Sequence, residues 1–166
     1  MSLRTLILLS PFVLAVILGR AVRLPEEPRA QDTGPMYNFS MKRYQWNERP
    51  LLVFAPSRDD QAYCETMIIW NRNGPKLDEY DLVLLEVFED GVSRADGREI
   101  PQESATHLRE RFQVEDGDLT ILLVGKDGSE KGRWNQLPPL QDIYDLIDTM
   151  PMRQREIRSQ QDAHPE

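Results

Sequence analysis

The sequence predicts an α/β fold of one domain, a mixed β-sheet sandwiched between two layers of helices. Three observations predict it. Apolar runs at Leu51–Ala55, within Asp81–Phe88 and at Leu119–Val124 lack the polar alternation of strands with one wet face, so they read as buried strands. Segments with apolar residues at helical spacing alternate with those runs. The chain has 166 residues, 40% of them hydrophobic, which is enough for one core and lean for two.

The first strand, Leu51–Ala55, is flanked by Pro50 and Pro56. Ser57 sits where a helix N-cap belongs, with Asp60 as the acidic partner of a capping box. Tyr63, Cys64, Met67 and Ile68 read as the apolar face of the first helix, which Asn73-Gly74-Pro75 ends. A second strand lies within Asp81–Phe88, followed by a polar loop punctuated by Asp90-Gly91 and Asp96-Gly97. Gln102–Phe112 reads as a helix with Ala105, Leu108 and Phe112 on one stripe. The third strand, Leu119–Val124, leads through Lys126-Asp127-Gly128-Ser129 into a hairpin strand ending near Trp134. Pro138-Pro139 opens the last helix, with Leu140, Ile143, Tyr144 and Ile147 facing inward. Strands alternating with helices imply parallel crossovers, so three parallel-type strands and an antiparallel hairpin edge are expected, a thioredoxin-like three-layer sandwich.

Ahead of this body, Arg4 precedes an apolar run from Thr5 to Leu18, and Gly19-Arg20-Ala21 offers small residues for cleavage after Ala21. That is the layout of a signal peptide over residues 1–21, and it is short for a membrane span. An uncleaved anchor facing outward is the alternative, kept open by Arg20 and Arg23. Residues 22–43 read as a tether, 44–157 as the folded domain and 158–166 as a disordered tail. Asn38-Phe39-Ser40 matches a glycosylation sequon. Export places the protein in the periplasm or outside the cell, where membrane contact would come only through an uncleaved N-terminus.

Composition removes several classes of function. The net charge of −8 opposes sequence-independent binding of nucleic acid. One cysteine and two histidines, His107 and His164, exclude an intrachain disulfide and the usual zinc sites, so no metal and no cofactor are expected. His107 reads as a surface partner of Glu103, Trp46 and Trp134 as packing residues, and Arg153, Arg155 and Arg158 as a solvated helix end.

Three segments carry a family likeness: Arg49 to Pro56 (RPLLVFAP), Leu122 to Gly128 (LLVGKDG) and Tyr144 to Met150 (YDLIDTM). Over roughly Tyr44 to Ile157 the chain resembles a thioredoxin-like, peroxiredoxin-like domain-of-unknown-function family, the P-DUDES domains. Small exported bacterial proteins carry that domain, as do the C-terminal domains of sushi-repeat-containing and coiled-coil-domain matrix proteins. The resemblance implies an extracytoplasmic thioredoxin-like fold and supplies no catalytic residues.

Thioredoxin chemistry needs two thiols at the start of the first helix and uses a cis-proline before the third strand. Here Ser57, Arg58, Asp59, Asp60 and Gln61 fill the first place without sulfur, and Leu119, just before Thr120, fills the second. Two adjacent carboxylates, Asp59 and Asp60, are too few for a calcium site. The expectation is therefore a non-catalytic interaction module that binds an envelope or extracellular protein through Ser57–Gln61, Leu119 and Thr120. A one-cysteine oxidoreductase or peroxidase using Cys64 is the alternative. Cys64 shares its expected face with Met67 and Ile68, so the sequence reading buries it as an inert core thiol.

Overall fold

The computed structural model of the chain describes residues 39–72 and 74–163. The expected signal peptide with cleavage after Ala21, the expected tether before Phe39, Asn38 of the sequon, Asn73 and His164 lie outside the described residues. After a 3-10 turn at Met41–Arg43 come β1 (Arg49–Ala55), α1 (Gln61–Arg72), α2 (Gly74–Glu79), β2 (Leu82–Phe88), β3 (Arg94–Ala95) and β4 (Arg98–Glu99). They are followed by α3 (Gln102–Phe112), β5 (Thr120–Val124), β6 (Glu130–Trp134), α4 (Leu140–Asp148) and α5 (Pro151–Ala163).

The six strands form one sheet in the order β4-β3-β2-β1-β5-β6. Strand β1 is buried at every residue because both of its faces are covered. Leu51, Val53 and Ala55 join a core with Tyr63 and Trp70 of α1 and Ile143 and Ile147 of α4. Leu52 and Phe54 point the other way, into a core with Ala105, Leu108 and Phe112 of α3. These two cores on alternate side chains are the three-layer sandwich, and burying both faces is what the unbroken apolar runs require.

Strands β1 and β2 run parallel, from Arg49 opposite Leu82 to Ala55 opposite Phe88. The third long strand departs from expectation: β5 is antiparallel to β1, with Leu51 opposite Leu123 and Phe54 opposite Thr120. The chain leaves β2 and enters β5 at the same end of the sheet, and α3 carries it across one face from the β4 edge to the far side of β1. The expected β5–β6 hairpin forms, with Gly128 at φ 81° in its turn. Asp96-Gly97 is more than loop punctuation, since both residues have positive φ (52° and 71°) and close a two-residue hairpin between β3 and β4.

Four other expectations are corrected. The buried stripe of α1 is Tyr63, Thr66 and Trp70 with Met67 beside it, so Cys64 and Ile68 turn outward; polar Thr66 disguised the true face. Trp46 is 62% exposed, on a left-handed backbone (φ 73°) that swings it off the core, whereas Trp134 packs against the core. Met41–Arg43 is ordered, and Phe39 and Met41 pack beside buried Tyr44, so the domain starts before residue 44. Helix α5 continues to Ala163, past the expected boundary at Ile157.

Arg153 is buried, not solvated. Its Nε donates to Asp148 (3.2 Å), its Nη1 donates to the Glu79 carbonyl (3.2 Å), and the guanidinium lies 4.6 Å from the Tyr80 ring centroid. Tyr80 stacks in turn on Tyr144, with centroids 4.5 Å apart. One turn further along α5, Glu156 takes both Nη2 hydrogen bonds of Arg49, at 3.0 and 3.1 Å. Arg49 is 1% exposed at the start of β1, and its Nη1 donates to the Tyr80 carbonyl and to Asp81. Lys126 closes the ring with bonds to Asp81 (2.7 Å) and Glu156 (2.8 Å). Two buried cations thus share two carboxylates drawn from α5 and the turn before β2.

Burial pushes the Glu156 carboxyl up, but hydrogen bonds from Lys126 and Arg49 outweigh it and hold the group below its ordinary value of 4.5. A carboxylate with a depressed folded pKa stabilises the fold above its unfolded pKa and loses that contribution as pH falls through the folded one. Urea unfolding is therefore expected to show stability decreasing below about pH 5. Glu156→Gln should cost about 3 kcal/mol at neutral pH and flatten the Glu156 share of that slope. Equal pH slopes in the two chains would contradict the assignment.

Candidate interaction site

The expected site lies where β1 and β2 end and β5 begins. Three register facts build it. Thr120 pairs with Phe54, the Glu89 amide donates to the Ala55 carbonyl (3.2 Å), and the Asp90 amide donates to the Pro56 carbonyl (3.0 Å). The loop after β1 is held locally: the Asp60 amide donates to the Ser57 carbonyl (3.3 Å) and the Asp59 amide to Ser57 Oγ (3.3 Å). The N-cap of α1 is Asp60 rather than Ser57. Asp60 Oδ1 accepts from the Tyr63 amide at 2.9 Å, and its carbonyl accepts the first helical bond, from the Cys64 amide at 3.0 Å.

Arg58, Asp59 and Gln61 are exposed, Ser57, Asp60 and Thr120 are half-buried, and Leu119 is buried. The fold brings the Ser57–Gln61 loop and the Leu119–Thr120 approach to one end of the sheet. Leu119 joins the core beneath that end, so its side chain offers nothing to a ligand.

A second group at this end escaped the sequence reading. Arg109 of α3 is 9% exposed, its Nη2 donates to Glu89 (3.0 Å) and to the Glu115 carbonyl (2.7 Å), and its Nε donates to Asp116 (3.2 Å). The Gly117 amide adds a bond to the same Glu89 oxygen at 2.8 Å. The guanidinium lies 5.9 Å from the Phe54 ring centroid. Arg109 thus clamps the loop before β5 to the end of β2, and the open hollow beside it, about 540 Å³, is rimmed by Glu110, Glu115 and Asp116. Asp116-Gly117 reads as a plain turn in sequence, and its anchor on Glu89 is a long-range contact. His107 lies away from this clamp, on the exposed surface of α3, 3.8 Å from Glu103 and 3.2 Å from Glu110.

The start of α1, where this fold places its chemistry, is filled by other groups. The Tyr63 hydroxyl donates to Glu86 of β2, and its ring meets Phe88 edge-on at 4.9 Å. Burial, reinforced by the bond to Glu86, raises the Tyr63 phenol well above its ordinary range, so it is a neutral donor at physiological pH. Glu86 interrupts the apolar run Leu82–Phe88, and that interruption was the one available signal of a buried partner. Among the described residues, no group of three His, Cys, Asp or Glu side chains is arranged to hold a metal ion.

Cys64 is exposed, contrary to the expected core thiol, with Sγ 3.5 Å from the Arg58 carbonyl. It sits one position past the buried Tyr63, and one step on a helix turns a side chain by about 100°. Thiol dye should therefore label Cys64 in the native chain within about tenfold of its rate in denaturant. Cys64→Ser should change stability by less than about 0.5 kcal/mol, as at exposed sites generally. Labelling that waits for unfolding would return Cys64 to the core.

The architecture can be compared with solved structures. The reduced 2-Cys peroxiredoxin of Plasmodium vivax superposes with a TM-score of 0.54 at 12% identity, covering 69% of this chain and 72% of that one. The bacterioferritin comigratory protein of Xanthomonas campestris gives 0.50 at 11% identity, covering 66% and 81%. At such identities the likeness shows the fold alone, which is thioredoxin-like. In sequence, the chain is 28% identical over 160 residues to coiled-coil domain-containing protein 80 of Danio rerio, covering 86% of this chain and 18% of that protein. It is 24% identical over 113 residues to the sushi repeat-containing protein SRPX2 of Xenopus laevis, covering 66% and 25%. The chain spans a quarter or less of these relatives. Residues 40–156 match the model of a domain of unknown function, DUF4174, and that match, more than half of the chain, makes this protein a member of the DUF4174 family.

Proposed function

We propose that the chain is a non-catalytic binding module that works outside the cytoplasm and presents the end of its sheet, around Arg58, Asp59 and Thr120, to a partner protein. The observation that carries this reading is the start of α1. Asp60 caps the helix there, Tyr63 fills its first turn while bonded to Glu86, and the loop Pro56–Gln61 ahead of Cys64 holds no thiol. The loops around it are nevertheless firmly built, by Ser57 on one side and by the Arg109 clamp on the other. Loops held on a rigid sheet are where binding ordinarily lives. An extracytoplasmic location is supported by the apolar run after Arg4 and by the likeness to a sushi repeat-containing protein. Among the described residues, no helix is long and apolar enough to cross a membrane.

The exposure of Cys64 favours a second reading, a one-cysteine oxidoreductase or peroxidase. The two separate in one experiment. The domain, used as bait against proteins of its native envelope, is compared with Arg58→Glu/Asp59→Lys and with Cys64→Ser, and each variant is also assayed for peroxide consumption. The module reading expects the double charge reversal to weaken capture at least tenfold, with the unfolding free energy changed by less than about 1 kcal/mol. It expects Cys64→Ser to behave as the parent chain does. Peroxide turnover that Cys64→Ser abolishes would replace the module by the enzyme.

A further inference from the structure

At the far end of the sheet from the proposed docking surface, a hollow of about 190 Å³ lies between the arm that leads into β1 and the turn that leaves β5. Half-buried Met41 and buried Pro50 and Val124 give it an apolar wall, and the exposed cations Lys42 and Arg111 also line it. We propose that this hollow binds a small organic acid, its compact apolar body against the wall and its single carboxylate shared by Lys42 and Arg111.

The first observation behind it is charge. The chain carries a net charge of −8, yet among the described residues neither Lys42 nor Arg111 has a carboxylate partner. Arg111 is placed by a bond from Nη2 to the Gly128 carbonyl (3.2 Å) and by the Phe112 ring, whose centroid lies 5.1 Å from the guanidinium. Its other N–H groups stay uncommitted, in the planar fork that matches the two oxygens of a carboxylate. The one acid that lines the hollow, Asp127, is engaged elsewhere. Its Oδ1 takes the amide and hydroxyl of Ser129, and its Oδ2 takes Lys131 at 2.7 Å.

The second observation is that the two sides of the hollow are fastened to each other. The Trp46 amide donates to the Lys126 carbonyl (2.7 Å), and Gln45 Nε2 donates to the Asp127 carbonyl (3.2 Å). Trp46 makes its bond on a left-handed backbone, φ 73°, which a bulky residue adopts only where its surroundings enforce it. A hollow between walls fixed in this way exists before a ligand arrives, so little ordering is required on binding. Val124, Gly125, Asp127 and Gly128 all come from the LLVGKDG segment, which the docking surface at the other end does not use. An apolar wall with a few placed polar groups is the ordinary composition of a small-molecule site. A bare inorganic anion would leave the wall unused, and a neutral apolar molecule would leave the cations unanswered.

The test titrates phenylacetate into the full chain at constant ionic strength and follows the backbone amides by NMR. The expected result is a saturable shift confined to residues 41–45, Arg111 and residues 124–128. Phenylacetamide, the neutral analogue, and inorganic phosphate, an anion without an apolar body, should each bind at least tenfold more weakly. Lys42→Ala/Arg111→Ala should weaken phenylacetate at least tenfold and leave the urea midpoint nearly unchanged, since both side chains are exposed. Equal binding of phenylacetamide would remove the role of the cations, and equal binding of phosphate the role of the wall; either result overturns the proposal. A shift that does not saturate, or that centres on other residues, overturns it as well. These comparisons use the parent chain alone, so they decide the matter even if the double variant fails to fold.

Discussion

The contact between Arg49 and Glu156 is the constraint around which the rest of this domain is arranged. Arg49 begins a strand that is buried at every residue, so its own charge is cut off from water and must find carboxylates beside it. Glu156 comes from the last helix, Asp81 from the turn before β2, and Lys126 from the hairpin after β5. One group of four charges therefore joins β1, the entry to β2, the exit of β5 and the C-terminal helix. An apolar contact would tolerate sliding, whereas hydrogen bonds to both oxygens of Glu156 set the position of α5 to within a fraction of a turn.

This arrangement separates the two ends of the sheet. One end is locked by the charge group, with Arg153 and the Tyr80–Tyr144 stack extending the lock to α2 and α4. The other end, where β1 and β2 finish, carries loops held by a few short-range bonds and by the Arg109 clamp. A protein can vary the residues at such an end without loosening its frame. Here Pro56–Gln61 carries no thiol, on a sheet that is thioredoxin-like in its fold.

Much of the frame was readable in the sequence, because β1, β2 and β5 announce themselves as apolar runs and α3 as an apolar stripe. The features that were not readable share a cause: they depend on partners far along the chain. Arg49 looks like a solvated residue ahead of a strand until Glu156, 107 positions later, is brought beside it. Lys126 looks like a turn residue for the same reason. The direction of β5 depends on which end of the sheet the chain returns to, and local pattern does not encode that. The face of α1 was misjudged because one inward position is Thr66, and a single polar residue rotated the apparent stripe onto Cys64 and Ile68. Of the candidate site, the loop and its neighbour across the sheet were foreseen together, whereas the Arg109 clamp and the Tyr63–Glu86 pair were not.

Native-state hydrogen exchange, compared between the parent chain and Glu156→Gln, tests the central role of the charge group most directly. If Glu156 fastens α5 to the sheet, the substitution should speed exchange of the α5 amides by on the order of a hundredfold. The amides of α3 and β5 should stay among the slowest. Protection of α5 that is unchanged by the substitution would contradict the account, because the helix would then be held by its apolar contacts alone.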